Sequence, residues 1–248
     1  MRYFLELSYN GTLYHGWQRQ PNAISVQEVL EDALSLILRA KIVIVGAGRT
    51  DTGVHAKQIM AHFDFAGKLE YDVLKYKLNS VLPSEIAIRC VRSVKENAHA
   101  RFDALSRSYE YFVTLEKDPF EIKRSYYIKK PLDLDLMNEA AKLLLNYTNF
   151  KCFSKSKTDV KTYNCTITNA IWEKDKDQLV FKISANRFLR NMVRAIVGTL
   201  IEIGEHKLTK EDLIRIIKSE DRGQAGYSVP AHGLYLTKVD YPKTIYTK

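Results

Sequence analysis

The stretch GAGRTDTGVHA, residues 46–56, places one carboxylate, Asp51, between glycines and two residues from a guanidinium. It is not a dinucleotide-binding fingerprint, because Asp51 stands where the third glycine of that motif belongs. It is not a phosphate-binding P-loop either, since no Gly-Lys-Ser/Thr closes it. Glycines on both sides let the backbone bend sharply and let a planar substrate approach closely. An aspartate in such a loop is also a common turn residue, so both a structural and a catalytic role remain open.

The hydrophobic pattern predicts regular structure on both sides of this stretch. Residues 2–9 alternate between apolar and polar side chains, as a half-buried strand does. Ser25 and Glu28 form a capping box that predicts an amphipathic helix from Val26 to about Leu38. Four further elements are predicted after the stretch: a strand at 59–66, a helix at about 71–82, and strands at 86–94 and 108–116.

The second half of the chain repeats this order more loosely. Its predicted elements are a helix around 137–145, strands at 165–174 and 178–185 joined by a polar DKD turn, a long helix from near Asn186 to near Gly204, a helix capped by Thr209 and Asp212, and a strand at 233–241. The pattern indicates an α+β protein of two similar halves, residues 1–105 and 106–248, with mostly antiparallel sheets backed by helices. Two such halves would place a cleft between them.

The composition favours a phosphate-rich partner. The chain of 248 residues has a net charge of +9 and a sequence pI near 9.3. Such an excess is typical of nucleic-acid binding, although some proteins are basic only for solubility. Fifteen tyrosines and ten phenylalanines could interleave with the basic residues, and exposed rings often stack on bases in RNA recognition.

Several classes of protein are disfavoured by what the sequence lacks. Cys90, Cys152 and Cys165 form no CxxC pair and the histidines no HExxH, so we expect neither a disulfide framework nor a bound metal. No segment approaches the roughly 18 consecutive apolar residues of a membrane helix. The N-terminal residues lack the features of a signal peptide, so a soluble cytoplasmic protein is expected.

Six blocks of the sequence resemble one family. GRTDTGVHA, residues 48–56, resembles the catalytic signature of the tRNA pseudouridine synthase A family, whose members carry aspartate at the position of Asp51. Five more blocks are similar to that family in the same order: YHGWQRQ (14–20), HARFDALSRSYEYFV (99–113), FSKSKTDVKTYNCTI (153–167), RFLRNMVRAIVG (187–198) and GLYL (233–236). The resemblance implies a pseudouridine synthase fold in which both halves form one catalytic unit around a central RNA-binding cleft.

The resemblance also implies the reaction and its residues. Uridine in tRNA would become pseudouridine without cofactor or metal, and Asp51 would act as nucleophile or base. Arg194 matches a basic residue that pairs with this aspartate, which would keep the carboxylate ionised. Tyr109 matches a tyrosine that could stack on the uracil and transfer a proton, although the residues alone favour a core position. Arg49 matches an arginine that helps to extrude the target base.

The remaining predicted residues would bind RNA. On the predicted long helix, Arg187, Arg190 and Arg194 would share one stripe. The RNA-binding candidates are His15, Trp17, Arg19, Arg101, Arg107, Arg190 and Lys155, with Lys151, Lys157 and Lys161, and Leu234 beside the uracil. Trp17 could equally belong to the core, and His55 is predicted to be structural. The resemblance implies a homodimer that modifies uridines 38, 39 and 40, on the 3′ side of the anticodon stem-loop.

Two other functions would explain part of the sequence. A non-catalytic RNA-binding module would explain the charge and the tyrosines, but not a carboxylate in a site that should attract polyanions. A hydrolase acting on a glycosidic bond would need a second carboxylate, for which only Asp64 or Asp103 could be nominated. An isomerised base, an unchanged RNA or a released base would distinguish the three.

Overall fold

The computed structural model describes residues 1–156 and 160–247, and the chain divides into two compact units. One unit comprises Met1–Ser106 together with Leu236–Lys248, and the other comprises Arg107–Tyr235. The sequence prediction places the whole C-terminal segment in the second half, residues 106–248. In the structure this segment lies against the first unit, because Val239 N–H donates to Gln58 Oε1 at 2.7 Å and Lys95 N–H donates to Ile245 O at 3.0 Å.

The first unit is an antiparallel sheet with two helices. Its elements are β1 (Arg2–Tyr9), α1 (Val26–Leu38), β2 (Val45–Gly46), β3 (His55–Asp64), α2 (Tyr71–Val81), β4 (Ile86–Val94) and, from Leu236 onward, β9 (Leu234–Asp240). Strand β1 lies between β4 and β3 and is antiparallel to both. Strand β2 pairs with His62 and Ala61 in the C-terminal half of β3, and β9 lies on the other side of β3 from β1.

Strand β1 shows why this sheet forms. Its alternating residues Tyr3, Leu5, Leu7 and Tyr9 are all buried, as their spacing predicts. Phe4 faces the other way and is nevertheless buried, since the ring of Tyr241 packs edge-on against it with centroids 5.1 Å apart. The strand is therefore covered on both faces at this point, which the alternation alone did not predict.

The second unit is also a mixture of strands and helices. Its elements are β5 (Ser106–Thr114, from Arg107 onward), β6 (Tyr126–Tyr127), α3 (Leu134–Leu143), β7 (Ile167–Asp175), β8 (Gln178–Ala185), α4 (Met192–Gly204) and α5 (Lys210–Ser219). Strand β8 lies between β5 and β7 and is antiparallel to both, whereas the short β6 is parallel to β5. The α+β class and the pairing of β7 with β8 across the polar turn are confirmed.

The largest local difference from the sequence prediction is the start of α4. The helix begins at Met192, not near Asn186, because Asn191 takes the left-handed conformation with φ 67° and ψ 0°. No α-helix continues through such a residue. The predicted stripe of Arg187, Arg190 and Arg194 is therefore wrong, since only Arg194 lies on the helix. Strand β3 also begins earlier than predicted, at His55.

No helix within the described ranges is long and apolar enough to span a membrane. The same ranges contain no group of three or more His, Cys, Asp or Glu side chains arranged to hold a metal ion.

A buried histidine makes the stability of the first unit depend on pH. Burial, followed by the charge of Arg2, lowers the pKa of His62 to about 4, and its Nδ1 accepts the Ala100 N–H at 3.1 Å. The unfolded chain takes up a proton near pH 6.5, whereas the folded chain does not until about pH 4. The stabilising contribution of neutral His62 is therefore complete above pH 6.5 and decreases as the pH falls toward 4.

We expect the unfolding free energy of the wild type to fall between pH 7 and pH 5 by up to about 2 kcal/mol more than that of His62→Gln. Glutamine keeps an acceptor for the Ala100 N–H but does not titrate. Urea unfolding of both proteins at the two pH values measures the difference, and parallel pH dependences would contradict the role of His62.

Candidate active site

The predicted catalytic aspartate lies on a loop that backbone hydrogen bonds anchor to a neighbouring loop. We call residues 47–54, between β2 and β3, the aspartate loop, and residues 10–20, after β1, the Trp17 loop. Trp17 N–H donates to Thr50 O at 3.2 Å, and Gly53 N–H donates to Tyr14 O at 3.3 Å. Each bond joins the two loops, one on either side of Asp51. The half-buried carboxylate is thus carried by a backbone with fixed neighbours.

The two loops approach each other backbone to backbone. Gly16 has φ +86°, and a Cβ there would lie 2.4 Å from Thr50 O. A Cβ on Gly11 would lie 2.0 Å from Val54 O. Thr50 is held from a second direction as well, since its hydroxyl and that of Tyr9 form a buried hydrogen bond of 2.9 Å. Glycine is required at position 16 for both its conformation and its contact.

Trp17 supports the aspartate loop from inside the protein. The side chain exposes only 2% of its surface, and a Cβ on Gly46 would lie 2.5 Å from its indole ring. The structure corrects the prediction that Trp17 binds RNA, because a ring packed between Gly46 and the core offers no accessible face. Position 46 requires glycine because the Trp17 ring leaves no room for a Cβ, and not because a ligand approaches the backbone there.

The other candidates on the Trp17 loop differ in exposure. His15 is exposed, as an RNA contact must be. Arg19 is half exposed, but its guanidinium contacts the carboxylates of Glu31 at 3.2 Å and Glu28 at 3.5 Å. Arg19 thus holds the Trp17 loop to α1 and has part of its charge compensated there. The structural role predicted for His55 is confirmed, since its buried Nδ1 accepts the Gly11 N–H at 3.1 Å.

Just before its anchor at Thr50, the aspartate loop has an open side. A Cβ on Gly48 would meet no heavy atom within 4 Å in the described part of its unit, other than those of its chain neighbours. Gly48 does not have a positive φ either, so the fold does not require glycine there. Arg49 follows and is exposed, and Asp51 lies two residues further on. The loop therefore offers free space, a cation and a carboxylate in one short segment.

In the second unit, the two tyrosines of β5 have different surroundings. Tyr111 is completely buried and its hydroxyl donates to Pro230 O at 2.8 Å, while burial raises the pKa of the hydroxyl above its usual value. Tyr109 points to the same side of the strand but is only half-buried. Its ring meets Phe188 edge-on, with centroids 5.1 Å apart. Tyr111 is the core residue of the pair, and Tyr109 is partly accessible.

Arg194 is held near the start of α4. Its Nε donates to Val229 O at 2.7 Å, and Val229 N–H donates to Arg194 O at 3.2 Å. The guanidinium is half-buried, and its charge acts on the pKa of both Tyr111 and His232. Burial is the main cause that lowers the pKa of His232, followed in the same direction by Arg194. Arg194 is thus oriented by backbone rather than left to move in solvent.

The segment that holds Arg194 was missed by sequence reasoning. Arg222 donates to the carbonyl oxygens of Ala225 and Gly226 at 3.2 and 3.1 Å and to Ser228 Oγ at 2.8 Å. Asn191 Nδ2 donates to the same hydroxyl at 2.6 Å. These bonds fix the chain just before Val229. No local pattern could reveal them, because their partners lie up to 37 residues apart.

The remaining RNA-binding candidates are placed as follows. Arg101 is exposed in the first unit, and Arg190 and Lys155 are exposed in the second, where Lys155 N–H donates to Arg190 O at 3.0 Å. Arg107 is half-buried and donates to Asn186 O at 2.8 Å. Leu234 exposes only 6% of its surface, and its predicted place beside the uracil stays a prediction.

The three lysines near position 155 are a separate case. Lys151 pairs with Glu220 at 3.4 Å, Lys161 is exposed, and Lys157 lies outside the described residues.

Asp51 and Arg49 belong to the first unit, whereas Tyr109 and Arg194 belong to the second. The two groups of residues therefore lie in different units, and the pairing of Asp51 with Arg194 stays a prediction.

Comparison with known proteins gives the family. The family profile described as tRNA pseudouridine synthase matches residues 7–103 and 140–242. The chain belongs to the tRNA pseudouridine synthase family. It is 51% identical over 247 residues to tRNA pseudouridine synthase A of Bacteroides fragilis, covering 99% of this chain and 98% of the relative. It is 51% identical over 249 residues to the protein of the same name from Porphyromonas gingivalis, with 99% of each chain covered.

A more distant relative of the same name, from Thermoanaerobacter pseudethanolicus, is 39% identical over 237 residues, which are 95% of this chain and 97% of that protein. The match therefore extends over the aspartate loop, β5 and α4 of this pseudouridine synthase family member. The predicted family and fold class are confirmed.

Two glycines of the central stretch should respond oppositely to the same substitution. Gly46→Ala forces a methyl group against the Trp17 ring, and we expect a loss of about 1–3 kcal/mol in the free energy of unfolding. Gly48→Ala adds the same group to open space, and its stability should change by less than about 1 kcal/mol. Urea unfolding of the two variants measures both values. Equal losses at the two positions would contradict the described packing of Trp17.

Proposed function

We propose that the protein isomerises uridine to pseudouridine in tRNA and that Asp51 is its catalytic carboxylate. The family to which the chain belongs isomerises uridines of tRNA. The observation that carries the assignment of Asp51 is the fastened loop with one open side, at Gly48 and Arg49. A reactive group needs this combination of a fixed backbone and room for the substrate.

The reaction needs no net addition or removal of atoms. The bond from uracil N1 to ribose C1′ breaks, the base turns, and a new bond forms between C5 and C1′. The proton on C5 leaves and N1 ends protonated. In this proposal Asp51 acts near C1′ and C2′, either as a nucleophile toward the sugar or as a base.

Three further side chains are assigned to this chemistry. Arg194, oriented by its bond to Val229 O, pairs its positive charge with the Asp51 carboxylate. Tyr109, whose ring is partly accessible, stacks on the uracil and serves the proton transfer at C5. Arg49, exposed beside the open space at Gly48, occupies the place of the extruded base and offsets part of the cost of unstacking.

The finer features of the function are proposals that rest on the family. The enzyme is a homodimer in the cytoplasm, where one protomer anchors the body of the tRNA while its partner holds the target. Its targets are the neighbouring uridines on the 3′ side of the anticodon stem-loop. The exposed side chains of His15, Arg101, Arg190 and Lys155 contact the RNA, and the half-buried Arg107 adds its charge to this surface.

The reaction is tested by incubating the purified protein with unmodified tRNA, with no cofactor and with a chelator present. Pseudouridine is then mapped after chemical derivatisation. Isomerised base confined to the anticodon stem-loop supports both the reaction and the target. Tight binding with unchanged RNA would favour a binding module, and a released base would favour a hydrolase.

Asp51→Asn should lower the rate of pseudouridine formation by about 10²- to 10⁴-fold or more, because the amide neither attacks nor accepts a proton. Its affinity for tRNA should stay near that of the wild type, since one carboxylate adds little to a phosphate-dominated interface. Asp64→Asn is the matched control, because Asp64 is an exposed carboxylate of the same unit that pairs with Arg2. A near wild-type rate for Asp51→Asn would exclude Asp51 as the catalytic group.

Tyr109→Phe and Tyr111→Phe separate chemistry from packing. Tyr109→Phe keeps the ring but loses the hydroxyl, so we expect kcat to fall by about 10²-fold or more while the affinity for tRNA is retained. Tyr111→Phe loses the bond to Pro230 O and should lower the free energy of unfolding by about 1 kcal/mol with kcat nearly unchanged. Single-turnover kinetics and urea unfolding measure the two effects. A larger loss of kcat in Tyr111→Phe would reverse the assignment.

A further inference from the structure

A short loop of the first unit presents large apolar side chains to solvent. We call residues 99–105, between β4 and β5, the Phe102 loop. Phe102 exposes 75% of its surface and Leu105 exposes 59%. The guanidinium carbon of Arg101 lies 5.8 Å from the centroid of the Phe102 ring. Arg101 is itself exposed, so an aromatic ring and a cation are presented side by side.

Hydrogen bonds hold the backbone of the Phe102 loop in place, although its side chains are exposed. His99 N–H donates to Asp103 Oδ2 at 2.7 Å, and Asp103 N–H donates to His99 O at 3.0 Å. The backbone N–H groups of Arg101 and Phe102 both donate to His99 Nδ1, at 3.1 and 3.3 Å. Four hydrogen bonds therefore fix the backbone that carries the ring.

The Phe102 ring is also connected to the core through other rings. Its centroid lies 4.2 Å from that of His99, which lies 4.7 Å from that of the buried His62. His62 stacks in turn with Phe4 of β1, at 6.4 Å. Burial of His99 lowers its pKa, so at neutral pH the ring beneath Phe102 is uncharged. The orientation of Phe102 is thus set by the core, although most of its surface is open to solvent.

A fixed, exposed ring beside a cation suits an unpaired nucleobase with its phosphate. A flat base can stack on the ring, and each of the four bases has a face that can do so. The adjacent guanidinium can pair with the phosphate of the same strand. The chain carries a net charge of +9 and belongs to a family that acts on tRNA, so RNA is the partner that this chemistry favours.

We propose that Phe102 is a stacking platform for an unpaired base of the tRNA and that Arg101 holds a neighbouring phosphate. The platform binds RNA and takes no part in the bond changes at uridine. The inference rests on the proposed function only in naming tRNA as the ligand, and it can be tested without catalysis.

The test measures binding of unmodified tRNA by fluorescence anisotropy, with Asp51→Asn as the common background so that no turnover intervenes. Phe102→Ala and Phe102→Leu should each weaken binding by about fivefold to a hundredfold, because both remove the aromatic face. Phe102→Trp should bind within about threefold of the background, since it keeps a ring. The comparison between leucine and tryptophan separates stacking from general apolar contact.

The matched control is Tyr76→Ala on α2, because Tyr76 is an aromatic residue of the same unit that is 74% exposed. It should leave the affinity unchanged. Arg101→Ala should lower the slope of log K against log salt concentration by about one, whereas Phe102→Leu should leave that slope unchanged. Thermal unfolding checks that each variant is folded, which the exposure of both side chains favours.

Three outcomes would overturn the platform. Phe102→Leu could bind as tightly as the background, Tyr76→Ala could lose as much as Phe102→Ala, or the Phe102 variants could change self-association without changing tRNA affinity. The last result would identify a protein contact. Failure of the proposed function is seen separately, as absence of isomerised base in the protein with Asp51 and Phe102 intact.

Discussion

The contact between Gly16 and Thr50 is the constraint on which the position of Asp51 depends. The left-handed Gly16 lets the two backbones approach so closely that a Cβ would lie 2.4 Å from Thr50 O. The same carbonyl accepts the N–H of Trp17 at 3.2 Å. The residue before Asp51 is therefore held by backbone groups, whose geometry is independent of side-chain rotamers. Any side chain at position 16 would separate the loops and release the carboxylate from its support.

A buried carboxylate extends this support to α1 and to the strand that enters the aspartate loop. Glu31 is buried and accepts from Ile44 N–H at 3.1 Å, from Gln27 Nε2 at 3.0 Å and from Arg19 at 3.2 Å. A buried charge is stable only when it is paired and hydrogen-bonded, and these three donors satisfy Glu31. Arg19 is thus part of the frame of the site. The sequence does not show that this basic side chain has an internal partner, and its contact with RNA stays a prediction.

The sequence predicts this fold well wherever the determining interactions are local. Strand alternation and the cap of α5 by Thr209 and Asp212 involve residues two or three positions apart, and both are found as predicted. At α1 the Ser25 side chain accepts the Glu28 N–H, which is one half of the predicted capping box. The start of α4 was missed because apolar spacing continues through Asn191, whose left-handed conformation and bond to the distant Ser228 are not visible in the local pattern. The burial of Trp17 and Leu234 depends likewise on residues far along the chain.

The same distinction explains which parts of the candidate site could be foreseen. The aspartate loop is one continuous segment, so its carboxylate, cation and glycines are visible together in the sequence, but only the structure separates Gly46, which accommodates Trp17, from Gly48, which faces open space. A carboxylate that works on a polyanion must be held against the repulsion of phosphates and cannot rely on a flexible side chain alone. Backbone bonds at Thr50 and Gly53, on either side of Asp51, supply that rigidity.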